Sequence, residues 1–143
     1  KLLVDSNMPK EMDGIVELTA PLANIHNRGY GMFVQVEGKG DNAVITTTDN
    51  NRFSLEWMFH IEKPGTFEVE ALVSCQAAES KMTVKSGDQV GNMTIKSTGQ
   101  LDSFKTFPLG SLNFEAGDQV IELSPASEGW QPVFFRKLRL VRK

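Results

Sequence analysis

Apolar side chains recur at every second position along much of this sequence, and this spacing places them on one face of a β-strand. Between positions 53 and 61 the odd-numbered residues are all apolar, and the same alternation runs from position 66 to 75. The segment between the two runs contains Pro64 and Gly65, which favour a tight turn. The pattern therefore predicts two strands joined as an antiparallel hairpin, with Trp57 on the buried face.

Shorter apolar segments follow at regular spacing, and clusters of Gly, Asp, Asn and Ser separate them. No segment shows the periodicity of an amphipathic helix. Many short strands with little helix are typical of an all-β fold, and we predict a two-sheet antiparallel β-sandwich of the jelly-roll type. The further strands are predicted at residues 82–84, 93–95, 104–107, 112–114, 120–123 and 133–141.

The length of 143 residues suits one domain with a sizeable core. Residues 5–14 are polar and contain Pro9 and Gly14, so we predict a linker or N-terminal arm over residues 1–14 and the sandwich over residues 15–143. The sequence begins with Lys, which fits a processed protein or a domain excised from a longer one, and we favour excision. Cys75 is the single cysteine and falls on an inward strand position, so the fold must rest on apolar burial.

Charge and hydropathy together disfavour nucleic acid as a partner and a segment that spans a membrane. The net charge is −3 and both signs are interspersed, which argues against nucleic acid. No apolar run approaches the roughly 18 residues of a membrane span. The basic C-terminal run alternates with Leu138 and Leu140, so we interpret it as a strand that buries the leucines and points its cations to solvent.

Residue types that carry catalysis are sparse. His26 and His60 are the only histidines, and no zinc-binding motif is present. Glu56, His60 and Glu62 share an outward strand face, which we interpret as an ordinary solvated face. Because no nucleophile, base and oxyanion set can be identified, a hydrolase is the last-ranked function and we predict that the domain is not an enzyme.

Sugar binding needs aromatic rings that stack on pyranose faces and polar groups that bind hydroxyls. Tyr30 lies between two glycines in a loop, and Trp130 lies in a second loop. Asn50, Asn51 and Arg52 occupy a turn and offer hydrogen bonds. We predict a carbohydrate site from these five residues, and we weigh it equally against the alternative that Tyr30 and Trp130 only cover the open ends of the sandwich.

A series of weak landmarks occurs in order along most of the chain. They are the strand ending Trp57-Met58-Phe59-His60-Ile61, the segment 63–69, Thr98-Gly99, the segment 109–112, Gly117, Ile121-Glu122-Leu123 with Pro125, and Leu138 with Leu140. In this order the sequence resembles the carbohydrate-binding modules of families 6 and 35. These are galactose-binding-domain-like sandwiches, related to the domains that follow bacterial glycoside hydrolases such as α-L-fucosidases.

The resemblance implies a non-catalytic carbohydrate-binding accessory module of a secreted glycoside hydrolase. The expected location is extracellular or periplasmic, and the expected partners are a glycan and the parent catalytic domain. The alternative is a structural spacer that packs against that catalytic domain and has no ligand of its own.

Two positions depart from the family pattern. Such modules often place an aromatic platform shortly after the Thr-Gly pair, where this sequence has Gln100 and Leu101. Many also bind calcium through an early glutamate and an aspartate near the last strand. Glu17 is the candidate for the first ligand, but Lys137 and Arg139 occupy the region of the second, which disfavours calcium.

Overall fold

The computed structural model describes residues 8–27, 34–47 and 52–143 of the chain. Within these ranges the regular structure is β, apart from two short 3-10 turns at Ala20–Leu22 and Gly40–Asn42. None of the described helical segments is long and apolar enough to cross a membrane. The strands are β1 (Ile15–Thr19), β2 (Asn24–Asn27), β3 (Gln35–Glu37), β4 (Val44–Thr46), β5 (Phe53–Ile61), β6 (Gly65–Cys75), β7 (Glu79–Ser86), β8 (Gln89–Lys96), β9 (Lys105–Phe114), β10 (Gly117–Pro125) and β11 (Val133–Arg142).

These strands form two antiparallel sheets. Sheet 1 has six strands in the order β3-β4-β11-β6-β9, with β1 pairing β11 beside β4. Sheet 2 has five strands in the order β2-β5-β10-β7-β8. The predicted two-sheet antiparallel β-sandwich is therefore confirmed.

The predicted hairpin between β5 and β6 is wrong. β5 lies in sheet 2, between β2 and β10, whereas β6 lies in sheet 1, between β11 and β9. The turn at residues 62–64 carries the chain from one sheet to the other. The alternation of apolar residues arises because both strands bury one face against the opposite sheet, and this burial does not specify which strand pairs with which.

The core fills the space between the inward faces of the two sheets. Trp57 and Phe59 enter it from sheet 2, and Phe67 and Phe135 enter it from sheet 1, all with no exposed surface. Each such side chain contributes roughly 2 kcal/mol through burial. The Trp57 indole Nε1 donates a hydrogen bond to the Thr19 carbonyl at 2.8 Å, which satisfies its polar atom. The predictions that Trp57 and Cys75 are buried are both confirmed.

Two β-bulges modify the long strands of sheet 1. In β9, one continuous strand replaces the two separate segments that the sequence predicts, and the register with β6 shifts between Val69 and Glu70. In β11 the register with β6 shifts between Phe135 and Lys137. The extra residue is Arg136, and as a result Arg136 and Lys137 line the same surface of the sheet.

Residues 8–14 lie against the sandwich. The backbone of Lys10 forms an isolated parallel β-bridge with His60, and the His60 amide donates a hydrogen bond to the Pro9 carbonyl at 2.9 Å. At the other end of this segment, the Arg142 amide donates to the Gly14 carbonyl at 2.8 Å. The segment is therefore attached to both sheets.

Candidate functional site

The described flanks of the segments that the sequence predicts as binding loops lie at one end of the sandwich. Residues 28–33 and 48–51 lie outside the described residues, and with them the predicted site residues Tyr30, Asn50 and Asn51. Their flanks are described: Asn27 pairs with Phe53 at the edge of sheet 2, and the Thr47 hydroxyl contacts Val133 at the start of β11. The third predicted loop, residues 127–132, contains Trp130, which contacts Phe53. The described flanks of all three segments therefore meet at this end.

Trp130 and Arg52 are the two predicted site residues that the structure describes. The Trp130 ring is half-buried and packs edge to face on Phe53, with ring centroids 5.3 Å apart. It also packs against the main core cluster, so it closes the end of the core. Arg52 is exposed and directly precedes Phe53 in the chain.

A groove of about 390 Å³ lies next to this end, on the outer face of sheet 1. We call it the outer groove. Phe104, Phe134, Leu101 and Val44 give it an apolar surface. Such a surface, flanked by polar groups, is the usual form of a small-ligand site.

The strand register explains why Phe134 lies in the outer groove. Its neighbours Val133 and Phe135 are fully buried, and alternate residues of a strand point to opposite faces, so Phe134 points outward. Phe134 pairs with Ser74 of β6 on one side, and Phe135 pairs with Ile45 of β4 on the other. Phe134 therefore lies in the middle of the sheet rather than at an edge.

Strand alternation brings a cation to the same groove, because Arg136 lies two residues after Phe134 and shares its outward face. The Arg136 guanidinium carbon lies 4.5 Å from the centroid of the Phe104 ring. This is the distance of a cation–π contact, which orients both side chains. The outward face of β11 thus places a guanidinium next to an aromatic ring in the wall of the groove.

Other polar groups line the groove opposite the rings. The Thr46 hydroxyl donates to Glu37 Oε2 at 3.1 Å, and the Gln35 amide donates to the same oxygen at 3.4 Å. Asn42 and Asp102 also line the groove. Carboxylates, amides and hydroxyls beside aromatic rings are the groups that bind a sugar through its hydroxyls and its apolar face.

The sequence-based site did not include Phe104 or Phe134, because both were interpreted only as strand residues. One signal could have found Phe134: Phe134 and Phe135 are consecutive on a strand, so one of them must face outward. The sequence also indicated the location of the groove. The family resemblance implies an aromatic platform at the position that Leu101 occupies, and Leu101 lines the groove. Phe104 and Phe134 supply rings close to that position.

The charged residues of sheet 2 do not converge on one site. His26 Nε2 lies 3.8 Å from Glu56 Oε1. His60 Nδ1 lies 2.9 Å from Asp118 Oδ1, and its Nε2 lies 3.7 Å from Glu62 Oε1. Across residues 8–27, 34–47 and 52–143, no three His, Cys, Asp or Glu side chains group as metal ligands.

Glu17, the candidate calcium ligand, contacts two cations. Lys137 Nζ lies 2.8 Å from Glu17 Oε1, and Arg139 Nε lies 3.2 Å from Glu17 Oε2, although not with hydrogen-bond alignment. Arg139 is the direct cross-strand partner of Glu17 in the pairing of β1 with β11. Calcium needs several oxygen ligands, so a carboxylate already neutralised by two cations does not fit that ion.

No protein-family model matches the sequence, and no curated protein matches it significantly. Solved structures do match its fold. A family 35 carbohydrate-binding module from Clostridium thermocellum has a TM-score of 0.72 at 16% identity, covering 90% of this chain and 98% of that one. A family 6 module from Clostridium stercorarium, in complex with cellobiose, has a TM-score of 0.70 at 17% identity, covering 96% of this chain and 98% of that one.

A larger protein also contains this fold. The GH26-CBM35 β-(1,4)-mannanase of Podospora anserina matches with a TM-score of 0.67 at 15% identity, covering 92% of this chain. The chain spans 28% of the length of that mannanase. The described structure thus has the β-sandwich fold of the family 35 and family 6 carbohydrate-binding modules.

Proposed function

We propose that this chain is a non-catalytic carbohydrate-binding module and that the outer groove holds the glycan. The observation that carries the proposal is the outward ring of Phe134 beside Phe104, with the Arg136 guanidinium stacked on Phe104 and the Glu37 carboxylate across the groove. Aromatic rings stack on the apolar faces of sugars, and the charged groups bind the hydroxyls. Two solved carbohydrate-binding modules of similar fold are in complex with cellobiose and with cellotriose, which supports the same class of ligand here.

The loop residues predicted from the sequence form the second part of the proposed site. Tyr30, Asn50, Asn51, Arg52 and Trp130 belong to segments whose flanks meet near Val133, directly before Phe134. A glycan longer than one or two sugars would extend from the outer groove toward these segments. In this proposal they contact the distal sugars, and the outer groove holds the central one.

The module serves, in this proposal, as an accessory domain of a secreted glycoside hydrolase that acts outside the cytoplasm. Support comes from the mannanase that contains this fold, in which a family 35 module is joined to a GH26 domain. The partners are then a glycan and a catalytic domain, and the catalytic domain supplies the chemistry. An α-L-fucosidase remains one proposed parent enzyme.

The test is a glycan-array screen followed by calorimetry with any glycan that binds. Phe134→Ala is expected to weaken binding by about fivefold or more, because stacking of one sugar on a ring contributes on the order of 1 kcal/mol or more. Trp130→Ala measures the contribution of the loop end separately. Met58→Ala is the matched control, since Met58 is exposed on the outer face of sheet 2. Unchanged affinity in folded Phe134→Ala protein would place the ligand elsewhere.

One observation favours the spacer as a second candidate function. Met12 is 73% exposed and Leu22 is 45% exposed. Together with Ile15 they line an open hollow with a volume of about 370 Å³. Exposed apolar groups of this kind mark protein contacts. In the longer parent protein, Met12→Ser with Leu22→Ser would then lower the melting temperature more than in the isolated module. Equal effects in both would count against a packing role.

A further inference from the structure

We propose that Thr47 and Ser74 are positioning residues of the outer groove, each holding part of its wall through a buried hydroxyl. Neither residue lines the groove. Thr47 binds the backbone next to Phe134, and Ser74 binds the backbone of Leu101. The inference rests on the proposed function for its effect on glycan binding, but the two contacts can be tested without a ligand.

Thr47 replaces a strand partner at the point where β4 ends. Its hydroxyl donates to the Val133 carbonyl at 2.7 Å and accepts from the Val133 amide at 2.9 Å. Backbone pairing between β4 and β11 consists of Phe135 with Ile45. One buried hydroxyl, 6% exposed, therefore satisfies both backbone groups of Val133 on this side. Because Val133 directly precedes Phe134, the contact fixes the place where the Phe134 ring leaves the sheet.

Ser74 acts on the opposite wall of the groove. It is fully buried, it pairs with Phe134 in the sheet, and its hydroxyl donates to the Leu101 carbonyl at 2.8 Å. This contact joins the segment that contains Leu101 to the strand next to Phe134. The two walls of the groove are thus attached to neighbouring points of sheet 1.

A binding site gains affinity when its walls are ordered before the ligand arrives, since ordering them on binding costs free energy. Loss of either hydroxyl leaves a buried backbone group without its partner. The expected result is a more mobile wall and weaker binding, while the surface that touches the glycan keeps its chemical groups. This combination distinguishes a positioning residue from a contact residue.

The test compares Thr47→Val with Thr47→Ser in the whole chain. Valine keeps the shape without the hydroxyl, and serine keeps the hydroxyl. We expect Thr47→Val to raise amide exchange at Val133 by about tenfold or more in the ligand-free protein, and Thr47→Ser to restore slow exchange. Ser74→Ala is the second variant, with faster exchange expected over residues 101–103. Ser86→Ala is the control, because its buried hydroxyl donates to the Val120 carbonyl at 2.7 Å at the other end of the sandwich.

Affinity for a glycan identified on the array is then measured by calorimetry. Weaker binding by Thr47→Val, with recovery in Thr47→Ser, supports the positioning role. Unchanged exchange at Val133 in Thr47→Val would overturn it, whatever the affinity. If exchange rises as expected but the wild-type chain binds no glycan, the positioning role stands and the proposed function fails.

Discussion

The guanidinium of Arg142 holds the Glu11 carboxylate through two nitrogens, with Nη2 2.6 Å from Oε1 and Nε 2.8 Å from Oε2. The same guanidinium donates to the carbonyls of Pro64 and Lys63 and stacks over the Phe67 ring at 4.6 Å. One side chain therefore joins residues 8–14, the turn between β5 and β6, and the last strand. Gly65 leaves room for it, since a Cβ at that position would collide with Arg142 Nη1.

Glu11→Gln is expected to lower the melting temperature by a few degrees at pH 7, because the ionic contact becomes a neutral one. The side-chain hydrogen bond from Arg142 holds the pKa of Glu11 below its ordinary value. A depressed pKa contributes stability that is present above the unfolded-state pKa and is lost as the pH falls through the folded-state pKa. The gap between wild type and variant should therefore narrow as the pH falls below about 4.3, the ordinary pKa of a glutamate.

Thermal melts at pH 7 and pH 3 measure this effect. Glu115→Gln removes an exposed carboxylate from a turn and serves as the control, with no change expected at either pH. If the gap between wild type and Glu11→Gln is as large at pH 3 as at pH 7, the charge of Glu11 is not the cause.

Calcium is expected to leave the melting temperature unchanged. The Glu17 carboxylate is already neutralised by Lys137 at 2.8 Å and by Arg139 at 3.2 Å, so a divalent cation would have to displace both. Melts in millimolar calcium and in chelator check this expectation. A clear stabilisation by calcium would point to a site that does not depend on Glu17, and Glu17→Gln would show whether that is so.

Leu101→Trp is expected to tighten glycan binding by about three- to tenfold. The substitution supplies a ring in the wall of the outer groove, where stacking adds roughly 0.5–1.5 kcal/mol. Calorimetry with the array-identified glycan measures the change. Leu22→Trp is the matched control, because Leu22 lies on a different surface. Equal affinity in both variants would mean that Leu101 does not approach the ligand.

Trp57→Phe is expected to destabilise the fold by about 2 kcal/mol. The smaller ring leaves a cavity in the core and removes the hydrogen bond from Nε1 to the Thr19 carbonyl. Urea denaturation gives the free energy of unfolding, and Met58→Ala on the same strand is expected to stay within about 0.5 kcal/mol of wild type. If Trp57→Phe lowers the free energy of unfolding by less than about 0.5 kcal/mol, the core repacks around phenylalanine.

The sequence predicted strands better than it predicted their partners. Alternation identified β5 and β6 and their inward residues, because burial of one face imposes a period of two on each strand. It could not show that β5 pairs with β10, since that contact forms across more than fifty residues of sequence. The short turn at Pro64 and Gly65 suggested a hairpin, but the same composition serves a crossing between sheets.

The candidate site was predicted in part. Of the two loop aromatics predicted to bind sugar, Trp130 packs edge to face on Phe53 and is half-buried. The predicted site does not include Phe134 because residues 133–141 are interpreted only as a strand, although two consecutive aromatic residues on a strand require that one of them faces outward. The contact between Arg136 and Phe104 joins residues far apart in the sequence, so only the assembled fold shows it. The loop residues Tyr30, Asn50 and Asn51 remain predictions.

The burial of Cys75 affects how the protein recovers from unfolding. In the folded chain the thiol has no exposed surface, and desolvation raises its pKa, so oxidants and alkylating reagents react with it slowly. In unfolded chains the thiol is accessible, and two molecules can join through a disulfide that neither could form alone. Refolding yield in air should therefore fall as protein concentration rises and return with a reductant. The alkylation rate of this thiol records how often the core opens.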